Sequence, residues 1–336
     1  MPWSRSSSPS RRRDVMRPPR SGRIATAHRF AASLTAAPML ALLLLSACAP
    51  RSAGPVHPSP TPLAAVQTPS DSSSPDPTPT ATPTPSHVFV IVMENRSYSQ
   101  AITGRYTSQL AAQYGVATNY RGVSHPSLPN YLAMTSGTTW GITDDGFHNL
   151  PAGGLGAQLT EAGIEWHAYM EGMTGSCLRN GNGYALKHNP FAYYGSACPA
   201  QVVPFSQFSR DMAAGVPRFV WITPNMCHDG HDCSTAIADQ WLAETVPTIL
   251  ASSAWQNNGV LFITWDEGED SANSVLTLAI QPDPLNHSSA KPYNHYSLLA
   301  AIEDRFGLAR LGSAAQAEPM TDLLATKPPP RLRNGA

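Results

Sequence analysis

From His87 onward the chain alternates short apolar runs with helical stretches. The runs VFVIVM, GVATNY, IEWHAYM, RFVWITP, GVLFITWD and SVLTLAIQ read as strands. Between and after them, YTSQLAAQY, LPNYLAMTSG, GGLGAQLTEAG, STAIADQWLAETVPTILASS and NHYSLLAAIEDRFG read as helices. Strand and helix in turn over this length predict an α/β sandwich, with a largely parallel central sheet flanked by helices. In such sheets ligands gather beyond the carboxyl ends of the strands, so the residues that close each apolar run matter most.

Three runs close on polar groups. VFVIVM stops abruptly at Glu94 and Asn95, which are expensive to dehydrate. RFVWITP leads to Asn225 and CHDGHDC, and GVLFITW leads to Asp266, Glu267 and Glu269. Unshared carboxylates brought together at one sheet edge would repel and raise each other's pKa, so Glu94, Asp266 and Glu267 are expected to converge on one cation. A fourth element, SHPSLPNYLAMTSG, sets Ser127 at or near a helix N-terminus, where free amides and the dipole favour an anion. Serine is also an ordinary cap there. Beside a metal, however, its hydroxyl becomes a nucleophile.

The first part of the chain reads differently. Seven arginines between Arg11 and Arg29 precede PMLALLLLSAC, too short for a comfortable bilayer span and suited to a secretory signal. Within it LSAC resembles a bacterial lipobox, which makes Cys48 the lipidated N-terminus of the mature chain, with ordinary cleavage nearby as the alternative. Residues 49–86 are mostly Pro, Thr, Ser and Ala, a composition without the apolar side chains that offset ordering entropy. Residues 1–48 are therefore assigned as the signal, 49–86 as a disordered tether, 87–325 as the folded domain and 326–336 as a tail.

Of the 5 cysteines, setting Cys48 aside leaves Cys177, Cys198, Cys227 and Cys233, an even set suited to an oxidising compartment. The local pairs Cys177 with Cys198 and Cys227 with Cys233 close short loops, each contributing about 2–3 kcal/mol if unstrained. The absence of a tight CxxC pair argues against zinc held by these thiolates. A net charge of −1 gives no basic footprint for nucleic acid.

The motifs VMEN, SHPSLPNYLAMTSG, KHNPF, TPNMCHDGHDC, TWDEGE and NHYSLLAAIED, in this order, resemble the bacterial phosphoesterase family of acid phosphatases and phospholipases C, a branch of the alkaline phosphatase superfamily. The similarity runs from His87 to about Leu324 and is strongest to small secreted acid phosphatases, some of which act on phosphatidylinositol phosphates. It implies an alkaline-phosphatase-like sandwich and one divalent metal ion, calcium, magnesium, manganese or zinc, held by Glu94, Asn95, Ser127, Asp266 and Glu267. It further implies that Ser127 attacks phosphorus to give a phosphoserine, and that His188 and His231 donate to the phosphate, His231 also protonating the leaving alcohol. Substrate contacts are implied for Asn95 and Lys187, while His125 and His295 are open between substrate contact and a supporting role. Asp229 is expected to orient a histidine or reach the metal region. Asp144 and Asp145 are expected in a solvated turn, and the tryptophans, Trp140 included, mostly in the core. His228 stands where relatives often have Asn, which speaks against an essential role.

Together these readings give an extracytoplasmic, metal-dependent phosphomonoesterase, lipid-anchored to the membrane or secreted. A phospholipase C or phosphodiesterase of the same family is the enzymatic alternative. A tethered binding protein that has lost catalysis is the other.

Overall fold

The computed structural model describes residues 87–284 and 286–324. The signal, Cys48, the tether and the tail lie outside the described residues. The strands are β1 (Val88–Met93), β2 (Gly115–Arg121), β3 (Trp166–Met170), β4 (Val202–Pro204), β5 (Phe219–Thr223), β6 (Val260–Trp265), β7 (Ser274–Ile280), β8 (Ser288–Ser289) and β9 (Tyr293–Asn294). The helices are α1 (Tyr98–Ala101), α2 (Arg105–Gln113), α3 (Ser127–Ser136), α4 (Gly154–Glu161), α5 (Phe208–Ala214), α6 (Thr235–Leu250), α7 (Ser253–Gln256) and α8 (His295–Phe306).

Every strand joins one sheet in the order β4-β3-β5-β1-β6-β7-β2-β8, with β9 on β2. β1 is central and pairs in parallel with β5 on one side and β6 on the other. All six of its residues are fully buried, which explains an unbroken apolar run: a central parallel strand has no solvent face.

One strand departs from the parallel arrangement. β7 is antiparallel to both β6 and β2. The loop from Trp265 to Ser274 is too short for the crossover that a parallel neighbour needs, so the chain turns back on itself there. Two reversals restore direction, and β2 again runs parallel to β1 and β6. The carboxyl ends of β1, β2, β3, β5 and β6 consequently share one edge.

Helix α3 starts beyond the end of β2, and all ten of its residues are buried, packed against α8 and α4. It ends at Gly137, whose φ of 69° is left-handed. A Cβ there would fall 2.1 Å from the Leu311 carbonyl oxygen, so that glycine is needed for space as well as for conformation. The four cysteines form the two local disulfides, Cys177–Cys198 and Cys227–Cys233. These fit an extracytoplasmic protein. Among the described residues no helix is long and apolar enough to cross a membrane. Trp166, Trp221, Trp241, Trp255 and Trp265 are buried as expected, whereas Trp140 is 41% exposed on the loop that follows α3.

Helix α8 buries Glu303 completely. Its Oε1 accepts from the Leu311 amide at 2.8 Å, while Oε2 has no hydrogen-bond partner. Burial pushes its pKa up to about 7, against the smaller opposing effects of the Leu311 amide and Arg310. The folded chain therefore holds this proton more tightly than the unfolded chain does. The group does not penalise folding below the ordinary carboxylate range, does so increasingly as pH rises, and does so fully above about 7. Glu303→Gln is thus expected to raise Tm at pH 8 by about 2–4 °C and to leave it nearly unchanged at pH 5, measured by thermal unfolding.

Candidate active site

The shared edge brings together residues far apart in sequence. At the end of β1 the Glu94 amide donates to the Asp229 carbonyl at 2.9 Å. The Asp266 amide, just past β6, donates to the Met93 carbonyl at 3.0 Å. Asn95 then turns left-handed, φ 48°, a conformation asparagine tolerates better than most residues, and its amide donates to Asp266 Oδ1 at 3.1 Å. Glu94, Asp266 and the chain around Asp229 are thereby locked into one register.

Glu94 is fully buried, and both its oxygens are used by α3. Ser127, the first residue of that helix, donates from Oγ to Glu94 Oε2 at 3.1 Å. Tyr131, one turn further on, donates from its hydroxyl to Oε1 at 2.6 Å. The four-residue spacing sets the two hydroxyls on one face of the helix. Asn130 fixes the approach to Ser127: its Oδ1 accepts from the Val123 and Ser124 amides at 2.8 and 3.0 Å, and its Nδ2 donates to the carbonyls of Ser124 and Pro126 at 2.9 and 3.1 Å.

His188 sits between two carboxylates. Its Nε2 is 3.2 Å from Glu94 Oε2, an ion-pair distance that lacks hydrogen-bond alignment, and its Nδ1 is 3.3 Å from Asp229 Oδ2. The ring stacks on Tyr131, with centroids 5.3 Å apart. Burial alone would lower its pKa, but Glu94 first and Asp229 next raise it to about 10. The charged form of His188 is thereby favoured, with each ring nitrogen turned toward a carboxylate. It in turn outweighs the effect of burial on Glu94, whose pKa falls below its ordinary value with help from Tyr131 and Lys187.

The other carboxyls are not so compensated. Burial, then the charges of Glu94 and Glu267, push Asp266 well above the carboxylate range. Glu267 and Asp229 are raised as well, burial being the largest cause for each. Asp266 Oδ2 is buried without any hydrogen-bond partner. Asp229 Oδ2 is likewise without one, and acidic groups gathered in one enclosed place, two of them with an orphaned oxygen, fit a divalent cation. Donor atoms of Glu94, His188 and His231 also lie within 4.8 Å of one another, a group compact enough for a metal ion.

His231 is held by its amide on Asp229 Oδ1 at 2.8 Å and by Nδ1 beside Asp232 Oδ1 at 2.8 Å. Its Nε2 faces Lys187 Nζ at 3.3 Å. Lys187 in turn pairs with Asp145 Oδ2 at 2.8 Å, and Asp145 Oδ1 accepts from the Leu128 amide, next to Ser127, at 3.0 Å. Asp145 is therefore not in a merely solvated turn as expected. It ties the loop after α3 to the N-terminus of that helix and to Lys187. Asp144 does stay in the turn, bonded to Gly146 and His148.

Of the remaining expected residues, His125 is half-exposed and hydrogen-bonds Glu267. His295 is fully buried, with Nδ1 on the Tyr120 hydroxyl at 3.1 Å and Nε2 on the Asp266 carbonyl. Burial lowers its pKa to about 4. With both nitrogens engaged inside the protein, His295 supports the Asp266 backbone and is not turned toward a substrate. His228 pairs with Glu171 at 2.9 Å, apart from this group. Tyr131, Asn130 and Asp145 were missed from the sequence. The Ser127-to-Tyr131 helical spacing was the one signal available for the first of them.

The phosphoesterase family pattern matches residues 103–286, a span that includes Ser127, His188, His231, Asp266 and Glu267. A phosphatidylinositol-3-phosphatase of Mycobacterium tuberculosis is 32% identical over 70% of this chain and 82% of its own. An acid phosphatase of Aspergillus fumigatus is 31% identical over 67% of this chain, which spans 55% of that relative's length. Among solved structures, a protein of the alkaline phosphatase superfamily from Vibrio parahaemolyticus superposes with a TM-score of 0.54 at 12% identity, over 71% of this chain and 70% of its own. The lipoteichoic acid synthase LtaP from Listeria monocytogenes does so at 0.51 and 8%, over 70% and 77%. These two likenesses concern the fold alone. The chain belongs to the phosphoesterase family and is a hydrolase of phosphate esters.

Proposed function

We propose that this chain is an extracytoplasmic, metal-dependent phosphomonoesterase of the acid phosphatase type, with Ser127 as its nucleophile. The observation that carries this reading is the Ser127 Oγ hydrogen bond to Glu94 Oε2, made at a helix N-terminus within a cluster of buried carboxyls. Glu94, Asn95, Ser127, Asp266 and Glu267 would hold the cation. The oxygen-rich set is preferred to the group containing His188, whose two ring nitrogens already face Glu94 and Asp229. When bound, a divalent cation supplies positive charge that favours the serine alkoxide and the phosphoryl oxygens.

The residues divide the remaining work. Ser127 Oγ releases its proton along the bond to Glu94 and attacks phosphorus in line, so that the new phosphorus–oxygen bond forms as the bond to the leaving alcohol breaks. The His188 imidazolium and the Lys187 ammonium donate to phosphoryl oxygens, whose charge spreads in the transition state. The leaving oxygen takes its proton from the Lys187–His231 pair, in which the Lys187 ammonium faces His231 Nε2 and the ring is held by Asp232 at Nδ1. Water then hydrolyses the phosphoserine. Tyr131 and Asp229 act by holding Glu94 and His188 in place. The similarity to a mycobacterial phosphatidylinositol-3-phosphatase makes phosphoinositides candidate substrates, and the lipobox-like segment supports a membrane-anchored location.

Turnover of p-nitrophenyl phosphate tests this reading. Chelation is expected to abolish it and an added divalent ion to restore it. Ser127→Ala is expected to lower kcat by about a thousandfold or more at unchanged thermal stability. Persistent turnover in that variant would remove Ser127 from its role. Tyr131→Phe deletes one hydrogen bond to a buried charge and is expected to lower kcat/KM about tenfold.

A further inference from the structure

Beside the active-site group lies a cavity of about 380 Å³ that the proposed mechanism does not use. Its volume falls within the range of small-molecule clefts, about 300–1,000 Å³. Two of its lining residues, Asp145 and Lys187, are the pair already tied to the Leu128 amide and to His231. The cavity therefore shares the Lys187 ammonium, which contacts His231, with the active-site group. Its other walls change character: Phe147, Tyr193, Leu186 and Met226 present ring faces, aliphatic carbon and a thioether. Phe147 is 51% exposed, an unusual position for so large an apolar side chain, and its ring leans on Tyr193 with centroids 5.3 Å apart.

We infer that this cavity is the leaving-group subsite, and that it selects phosphate monoesters whose alcohol carries a ring-sized group over esters of small acyclic polyols such as glycerol. The inference rests on the phosphomonoesterase reading. The phosphoryl group engages Ser127, and the organic part extends past Lys187 into the apolar walls. There the exposed Phe147 ring, backed by Tyr193, offers a stacking partner, and Met226 offers an adaptable sulfur contact. A small acyclic polyol would cover less of the apolar wall and gain less from it.

Benzyl phosphate and glycerol 1-phosphate test it, because both release primary alcohols of similar acidity and differ chiefly in the group carried. Wild-type kcat/KM is expected to favour the benzyl ester by about tenfold or more. In Phe147→Ala, and separately in Met226→Gln, the ratio of the two kcat/KM values is expected to fall about fivefold. Thermal unfolding of each variant identifies any loss of fold. A wild-type ratio near one, or folded variants that lower both esters alike, would overturn the subsite. Failure of the wild type to hydrolyse either ester with any divalent ion would instead overturn the phosphomonoesterase reading beneath it.

Discussion

The structure turns on the concentration of negative charge at the carboxyl edge of a parallel sheet. Glu94, Asp266, Glu267 and Asp229 are drawn together by backbone pairing that none of them controls: β1 and β6 lie side by side in register, and the loop after β5 folds back to accept the Glu94 amide. Once the sheet forms, these acids have nowhere to separate to. The protein answers in part with His188, a cation wedged between Glu94 and Asp229, and in part with hydroxyls from Ser127 and Tyr131. Asp266 receives the least compensation, and burial with the charges of Glu94 and Glu267 pushes its pKa well above the ordinary carboxylate range. Stable folding would be served better by apolar residues at that edge, so the cluster is better understood as a binding device than as a structural one.

Much of this was legible before any coordinates. The apolar runs marked the strands, and their polar endings marked the edge where the site assembles. That inference works because parallel strands bury both faces and so must place polar function at their ends. The direction of β7 was not legible, since an apolar run buried on both sides reads alike in either orientation; only the length of the loop before it decides the matter. The local pairing of the cysteines was legible for the opposite reason, that short loops leave few alternatives.

The site was legible where a residue's chemistry is rare and hidden where it is common. A glutamate or an aspartate ending a buried strand is conspicuous. A tyrosine in an apolar helix is not, and Tyr131 is recognised only through the oxygen of Glu94 that it reaches across the fold. Asp145 was hidden more deeply. It sits in GITDDG, a string that solvated turns favour, and its neighbour Asp144 does behave as such a turn predicts. Which of two adjacent aspartates faces the site depends on the path of the loop, and sequence spacing does not encode that path.

His295 illustrates the converse. Its motif left a substrate contact and a supporting role both open, and its two nitrogens are spent on Tyr120 and on the carbonyl of Asp266. A neutral, buried imidazole can hold a backbone segment rigid in a way no charged donor can, because a proton on only one nitrogen lets the ring donate on one side and accept on the other. His188 and His295 thus approach the same cluster with opposite chemistry. The first is charged by carboxylates at both its nitrogens; the second is kept neutral by burial and neutral partners. Environment, and not residue type, divides the histidines of this edge between those that act on charge and those that hold the frame on which charge is placed.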